Sequence, residues 1–261
     1  MLRLFRSDSA VLIFVALVSV LHAQDNAILP SAAPLDWRTP SPEDDQGFDW
    51  GSATTESLRF LTIQHGVRLT QGKTLDQLSG PFFGDYFDSV KGLKTWKDGD
   101  SAFTNYVGHP MQGAVTGYIQ VQNDPKGKRA SINDGSIYWK SRLKAMAWSA
   151  AYSTQFELGP YSEATIGNVG KTPGTMGYVD LVMTPTGGLG FMIAEDAFDH
   201  FVVARLERHA GPPMMRAMRM VFSPNRTLAN VLRFKKPWRR DNRDYTPRVA
   251  GGKHTSATSD D

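Results

Sequence analysis

Residues 103–122 read FTNYVGHPMQGAVTGYIQVQ, and this stretch decides the fold. Its apolar and small residues recur at helical spacing, with no run of alternate residues that would make a strand. His109, Gly113 and Gly117 are successive i, i+4 positions, so they share one stripe of a helix. Pro110 removes a backbone hydrogen bond and therefore predicts a kink or the first true turn of that helix. An imidazole placed among small apolar neighbours is costly to bury unless another element brings it a polar partner. The segment thus predicts a helix that packs closely and meets a polar group from elsewhere.

The same reading extends outward along the chain. A second long helix is predicted from Ser136 to Glu157, with Ser141, Ala145, Ser149 and Ser153 as a small stripe beside an aromatic one of Trp148, Tyr152 and Phe156. Two helices with small stripes can approach backbone to backbone, so these two are expected to pair. Before them, a moderately amphipathic helix starts near Asp49 or Ser52 and runs to Leu69, and a short aromatic one spans Phe82 to Val90, closed by Gly92. Asp100 or Ser101 is placed to cap the third. After them, Tyr178 to Met183 is a brief apolar segment. Thr184-Pro185-Thr186-Gly187-Gly188 is expected to interrupt it, and a further long helix is predicted from Leu189 to Arg208. Met214 to Phe222 and Leu228 to Phe234 complete the series. No repeat of 20–50 residues is visible. The expectation is an all-α chain, a single helical bundle with a flexible N-terminal linker and a basic C-terminal tail.

Four segments follow. In residues 1–23, Arg3 and Arg6 precede an apolar run from Ala10 to Leu21 with Ala23 as a cleavage position, which reads as a secretory signal peptide. An uncleaved anchor is the alternative, because Leu21 sits where a small residue is preferred. Residues 24–48, rich in Pro, Ala, Ser and acidic groups, read as a flexible linker. Residues 49–234 form the bundle domain, and 235–261 a basic, largely disordered tail. The chain has no cysteine, which excludes disulfides, thiol nucleophiles and lipid attachment at a cysteine. Its net charge is +3. Eight basic and four acidic residues lie from Arg233 to the end, so the excess belongs to the tail. A nucleic-acid-binding domain would carry that excess on its folded face, and none is expected here. The mean hydropathy is negative, and no segment after the signal approaches the ~20 apolar residues of a spanning helix.

The chemistry-bearing candidates are His109, Glu157, Asp180 and Glu195, lone polar groups in glycine-rich apolar sequence. Buried charges tend to be paired, so the four are expected to meet. As a catalytic set, His109 would be a general base oriented by Glu157 or Asp180. As a structural set, the imidazole would be satisfied by a carboxylate, and the carboxylates would accept amides left free by the turns beside them. Asp196 and His200, i and i+4, would face a single metal ion, the alternative being a solvated helix face. No cofactor is identified. There is no G-x-S-x-G elbow, and the glycine-rich Thr184–Gly190 stretch lacks the lysine of a phosphate-binding loop.

The ordered set His109-Pro110 with Gly113, Trp139 with Ser141, Glu157, Pro160 with Ser162, Asp180, Thr184-Pro185 with Gly187-Gly188, and Glu195 resembles an uncharacterised family of bacterial envelope proteins, a domain of unknown function. The likeness spans Phe103 to Arg208. It departs at Phe156, where the pattern has tryptophan, and at Ala194, where it has glycine. The resemblance implies an envelope location and weight for the cluster residues; it implies no reaction.

The chain is accordingly expected to be exported and either periplasmic or associated with an envelope membrane. The segment Arg233 to Arg240 interleaves aromatics with cations, and Met214, Met215, Met218 and Met220 precede it. It is expected to contact an anionic membrane surface, with a solvated tail as the alternative. A small-molecule or lipid ligand suits the polar cluster. A membrane-proximal hydrolase using His109 is the competing function.

Overall fold

A computed structural model describes residues 46–70, 81–166 and 170–243. The expected signal peptide and nearly all of the expected linker lie outside the described residues. Within them the protein is an all-α bundle, and no strand is present. No described helix is long and apolar enough to cross a membrane.

Helix α1 (Trp50–Arg68) starts where Asp49 accepts the Ser52 amide at 3.0 Å, the capping interaction that leaves one fewer free N–H in the first turn. The Asp49 amide in turn donates to the Asn123 carbonyl. Phe48 packs edge-on against Trp148 at 5.6 Å. The last residues of the expected linker are therefore already part of the bundle. Helix α2 (Phe82–Lys91) ends at Gly92 as its sequence predicts.

Helix α3 (His109–Asn123) is the axis of the molecule, with all but two of its fifteen residues buried. A wide turn, Thr104–Gly108, leads into it, and the His109 amide donates five residues back to Thr104. Proline at 110 has no N–H and its ring presses on the carbonyl four residues earlier. Widening the preceding turn relieves both without ending the helix. Ser101, one of the two predicted caps, accepts the Thr104 amide at 3.1 Å.

Helix α4 (Ser136–Leu158) matches its predicted span. Helix α5 (Tyr178–Phe198) does not. It is continuous through Pro185, where the sequence predicts a break. The reason is tertiary: α3 and α5 are the most extensively paired helices, and they touch through glycine. A Cβ at Gly113 would lie 1.7 Å from the Thr184 carbonyl oxygen, and one at Gly188 would lie 2.6 Å from the Gly113 carbonyl carbon. Gly187 likewise faces the Pro110 ring. The Thr-Pro-x-Gly-Gly signal for a turn is overridden because its small residues form a close contact. The expected pairing of α3 with α4 exists too: a Cβ at Gly117 would be 3.5 Å from Ala145.

A second wide turn (Asp199–Val203) follows α5 and runs into the single turn α6 (Ala204–Leu206). Helices α7 (Pro212–Val221) and α8 (Pro224–Leu232) close the bundle. The apolar core gathers Phe60 and Leu61 of α1, Val115, Tyr118 and Ile119 of α3, Tyr152 and Phe156 of α4, Met192 of α5 and Leu232 of α8.

The basic C-terminal segment corrects an expectation. The tail predicted to begin at residue 235 is folded onto the bundle as far as Arg243. Asp241 accepts Arg233 at 2.7 Å and Arg239 at 2.8 Å, and the Arg240 side chain is wholly buried against Asp199 at 2.9 Å. These cations are consumed by internal carboxylates, so they are not a free basic arm. Residues 244–261 lie outside the described residues.

Candidate buried polar site

Three of the four expected residues meet. His109 opens α3, Glu157 lies in the last turn of α4, and Asp180 lies in the first turn of α5. One nitrogen of the imidazole and one oxygen of each carboxylate all fall within 4.8 Å of one another, and all three residues are buried. The local sequence explains the convergence. The glycine contacts at 113 and 188 draw α3 onto α5 and bring His109 beside Asp180. The Ser153 hydroxyl donates to the Asp180 carbonyl at 3.1 Å, tying the end of α4 to the same point.

His109 Nε2 stands 3.2 Å from Asp180 Oδ1. The two are not in line for N–H donation, and Oδ1 has no hydrogen-bond partner among the described residues. Asp180 instead shares a hydrogen bond with the Asp98 carboxyl. Asp98 also accepts Asn105 Nδ2 at 2.7 Å and the Asp100 amide at 3.0 Å. Burial, then the neighbouring Glu157 charge and the Asp98 contact, push the Asp180 carboxyl up to about 9. Asp98 goes the other way: burial opposes its ionisation, but the donors from Asp180, Asn105 and the backbone outweigh that penalty. Burial, then the positive Arg68, bring His109 down to about 4. The His109 and Asp180 shifts both favour the uncharged forms, imidazole and carboxylic acid. Arg68 pairs directly with Glu163 and lies in the field of Glu157, Asp100, Asp180 and Asp98.

Glu195 belongs to a different place. Its carboxylate receives the Asn225 amide at 3.0 Å, Asn225 Nδ2 at 2.8 Å and the Arg226 amide at 3.3 Å, so it caps the N-terminus of α8. Burial nonetheless pushes it up to about 7.

The metal pair expected at Asp196 and His200 is not formed. Asp196 Oδ2 receives Arg142 Nε at 2.7 Å and the Tyr138 hydroxyl at 2.9 Å. Oδ1 receives the Tyr118 hydroxyl at 3.1 Å and the Arg226 guanidinium. A carboxylate so occupied has no lone pair left for a metal. His200 turns elsewhere, with its ring nitrogens 3.4 Å from Ser131 Oγ and 3.0 Å from Asn133 Nδ2. The wide turn beginning at Asp199 breaks the i, i+4 phase on which the pairing depended.

Asp196 and Asp199 instead anchor a buried guanidinium lattice. Arg142 and Arg226 serve Asp196, while Arg240 and Arg243 serve Asp199. Arg219 and Arg243 both serve Glu207, each at 2.8 Å. Opposing charges hold both aspartates below the ordinary carboxylate range although burial works against ionisation.

Sequence reasoning missed Arg68, Asp98 and Glu163 around the first site, and every arginine of the lattice. Arg142 carried a signal: it lies i, i+3, i+7 with Ala145 and Ser149, a cation on the small stripe of a helix destined for the interior. Asp98 sat in a stretch that read only as a turn. Comparison of the chain with family models, with curated proteins and with solved structures returns no match.

Proposed function

We propose that the chain is an exported envelope protein held peripherally at a membrane surface, whose buried polar cluster serves the fold or a small bound ligand and does not turn over a substrate. The observation that carries this reading is the enclosure of His109 and Asp180, whose side chains keep only 9% and 7% of their surface. A catalytic base has to reach the proton it takes, and a pair so closed in offers an organic substrate no approach. The signal-like residues 1–23 and the resemblance to bacterial envelope proteins support the location.

The hydrolase reading has the 3.2 Å separation of His109 and Asp180 in its favour. It is the weaker one, because the pair is enclosed and Nε2 and Oδ1 make no hydrogen bond along which a proton would pass. Surface contact is supported by an apolar patch beside the lattice. Phe198 stacks on Phe222 at 5.9 Å, and both rings are exposed. Met214 and Val221, one above the other on α7, are 60% and 70% exposed.

Producing the full chain in a bacterium and fractionating the cells tests the proposal. The expected product begins at Gln24, sediments with the envelope and is released by salt or alkali. A cytosolic product retaining Met1 would refute it. Vesicle flotation tests the surface: the mature chain is expected to float with anionic phospholipid vesicles, and Phe198→Glu with Phe222→Glu to reduce the floated fraction about tenfold or more, each buried aromatic contributing ~1–3 kcal/mol. Equal flotation would remove this patch from the account.

A further inference from the structure

We propose that His109, Glu157 and Asp180 bind a divalent first-row transition metal ion, zinc being the best match, between the start of α3, the end of α4 and the start of α5. The inference deepens the reading above by naming the ligand of the buried cluster.

Three observations carry it. First, the donor atoms lie within 4.8 Å of one another and come from three separate helices, so the helix packing, not a flexible loop, fixes their spacing. Second, Asp180 Oδ1 is buried and close to His109 Nε2, yet the pair is not aligned for a hydrogen bond and the oxygen has no other partner among the described residues. Two groups that bonded each other would point their N–H and lone pair along the line between them. Ligands of a common ion point at a third place instead. Third, the His109–Asp180 separation fits: ligand atoms about 2.0–2.1 Å from a tetrahedral zinc stand roughly 3.3 Å apart, against the 3.2 Å between Nε2 and Oδ1, and the Glu157 oxygen lies within the 4.8 Å that bounds the set.

The donor set chooses the metal class. An imidazole disfavours calcium and magnesium, which take oxygen ligands, and the absence of thiolate disfavours copper(I). One imidazole and two carboxylates suit zinc, with manganese and iron next. Binding would displace the proton from Asp180, and the carboxylates of Glu157 and Asp180 would then balance the dication, which matters in a site sealed from water. Asp98, held by Asn105, touches Asp180; with Asp180 ionised on the metal, Asp98 would carry the proton of their shared hydrogen bond and donate it to orient the aspartate ligand. Around the site the charged groups are Glu157, Asp98 and Asp100, with Arg68 and its partner Glu163.

The test uses the purified mature chain, stripped with a chelator and titrated with Zn²⁺. The expected result is one zinc per chain, a raised melting temperature, and intense visible absorption when Co²⁺ replaces zinc, as tetrahedral cobalt gives. Asp180→Asn and Glu157→Gln keep side-chain volume and are each expected to weaken zinc binding by about a hundredfold or more. His200→Ala, remote from the site, is expected to leave it unchanged. The wild-type titration needs no variant to fold: no uptake at micromolar zinc overturns the proposal. Uptake that survives both carboxylate variants, or that depends on His200, overturns it too. Failure here is distinct from failure of the envelope reading, which fractionation decides. Hydrolysis of ester or phosphoester substrates by the zinc-loaded chain would sink the non-enzymatic reading while supporting the metal.

Discussion

Asp196→Ala is expected to cost at least about 4 kcal/mol, enough to leave a domain of ordinary stability largely unfolded. The size follows from what surrounds the carboxylate. Arg142 and Arg226 both donate to it, and Tyr118 and Tyr138 add their hydroxyls. Arg142 is 2% exposed, so removing its counter-charge strands a guanidinium away from water. Asn at 196 keeps the shape and some acceptor capacity but not the charge, and is expected to recover only part of the loss. Replacing the carboxylate and both arginines together with apolar residues is expected to restore more than Asn does, because the unpaired charge, not the missing contact, dominates the penalty. Urea unfolding of the variants reads the effect directly. Near-wild-type stability of Asp196→Ala would show that water reaches the arginines and that the lattice is not closed.

Gly113→Ala is expected to destabilise by about 3 kcal/mol or more. The new methyl would stand 1.7 Å from the Thr184 backbone oxygen and 3.0 Å from Ser149 Oγ. A backbone carbonyl cannot swing aside as a flexible side chain can, so α3 and α5 must separate. His109 and Asp180 would separate with them, and zinc binding should fall together with stability. Gly190→Ala is the internal control. It lies on the same helix as Thr184, its added Cβ meets nothing within 4 Å, and the exchange should stabilise by up to about 1 kcal/mol through helix propensity. Thermal melts of the two variants, moving in opposite directions, are the expected outcome. A tolerated alanine at 113 would mean that the two helices do not touch as described.

Much of the architecture was legible in residue spacing. The His109 stripe, the small face of α4, the helix start near Asp49 and the cap at Ser101 each express a local rule, and each appears where its rule puts it. The unbroken α5 was not legible, since Thr184 to Gly188 carries every local mark of a turn and becomes helical only because α3 lies against it. The site was partly legible for the same kind of reason. A lone polar group in small apolar sequence says that it needs a partner but not which one. His109, Glu157 and Asp180 found each other. Glu195 was satisfied by amides of α8, a donor set no side-chain pattern announces. Asp196 was drawn to arginines distant in sequence, Arg142 and Arg226, and the apparent metal spacing with His200 was lost at a wide turn. Arg240 and Arg243 looked available because their counter-charges, Asp199 and Glu207, sit on a different element.

The most direct measurement is anomalous X-ray diffraction at the zinc edge from crystals of the protein loaded with Zn²⁺. The account predicts a single peak enclosed by α3, α4 and α5, about 2.0–2.2 Å from a nitrogen of His109 and from oxygens of Glu157 and Asp180. A peak beside His200, or density in which these three side chains point apart with no ion between them, would contradict it.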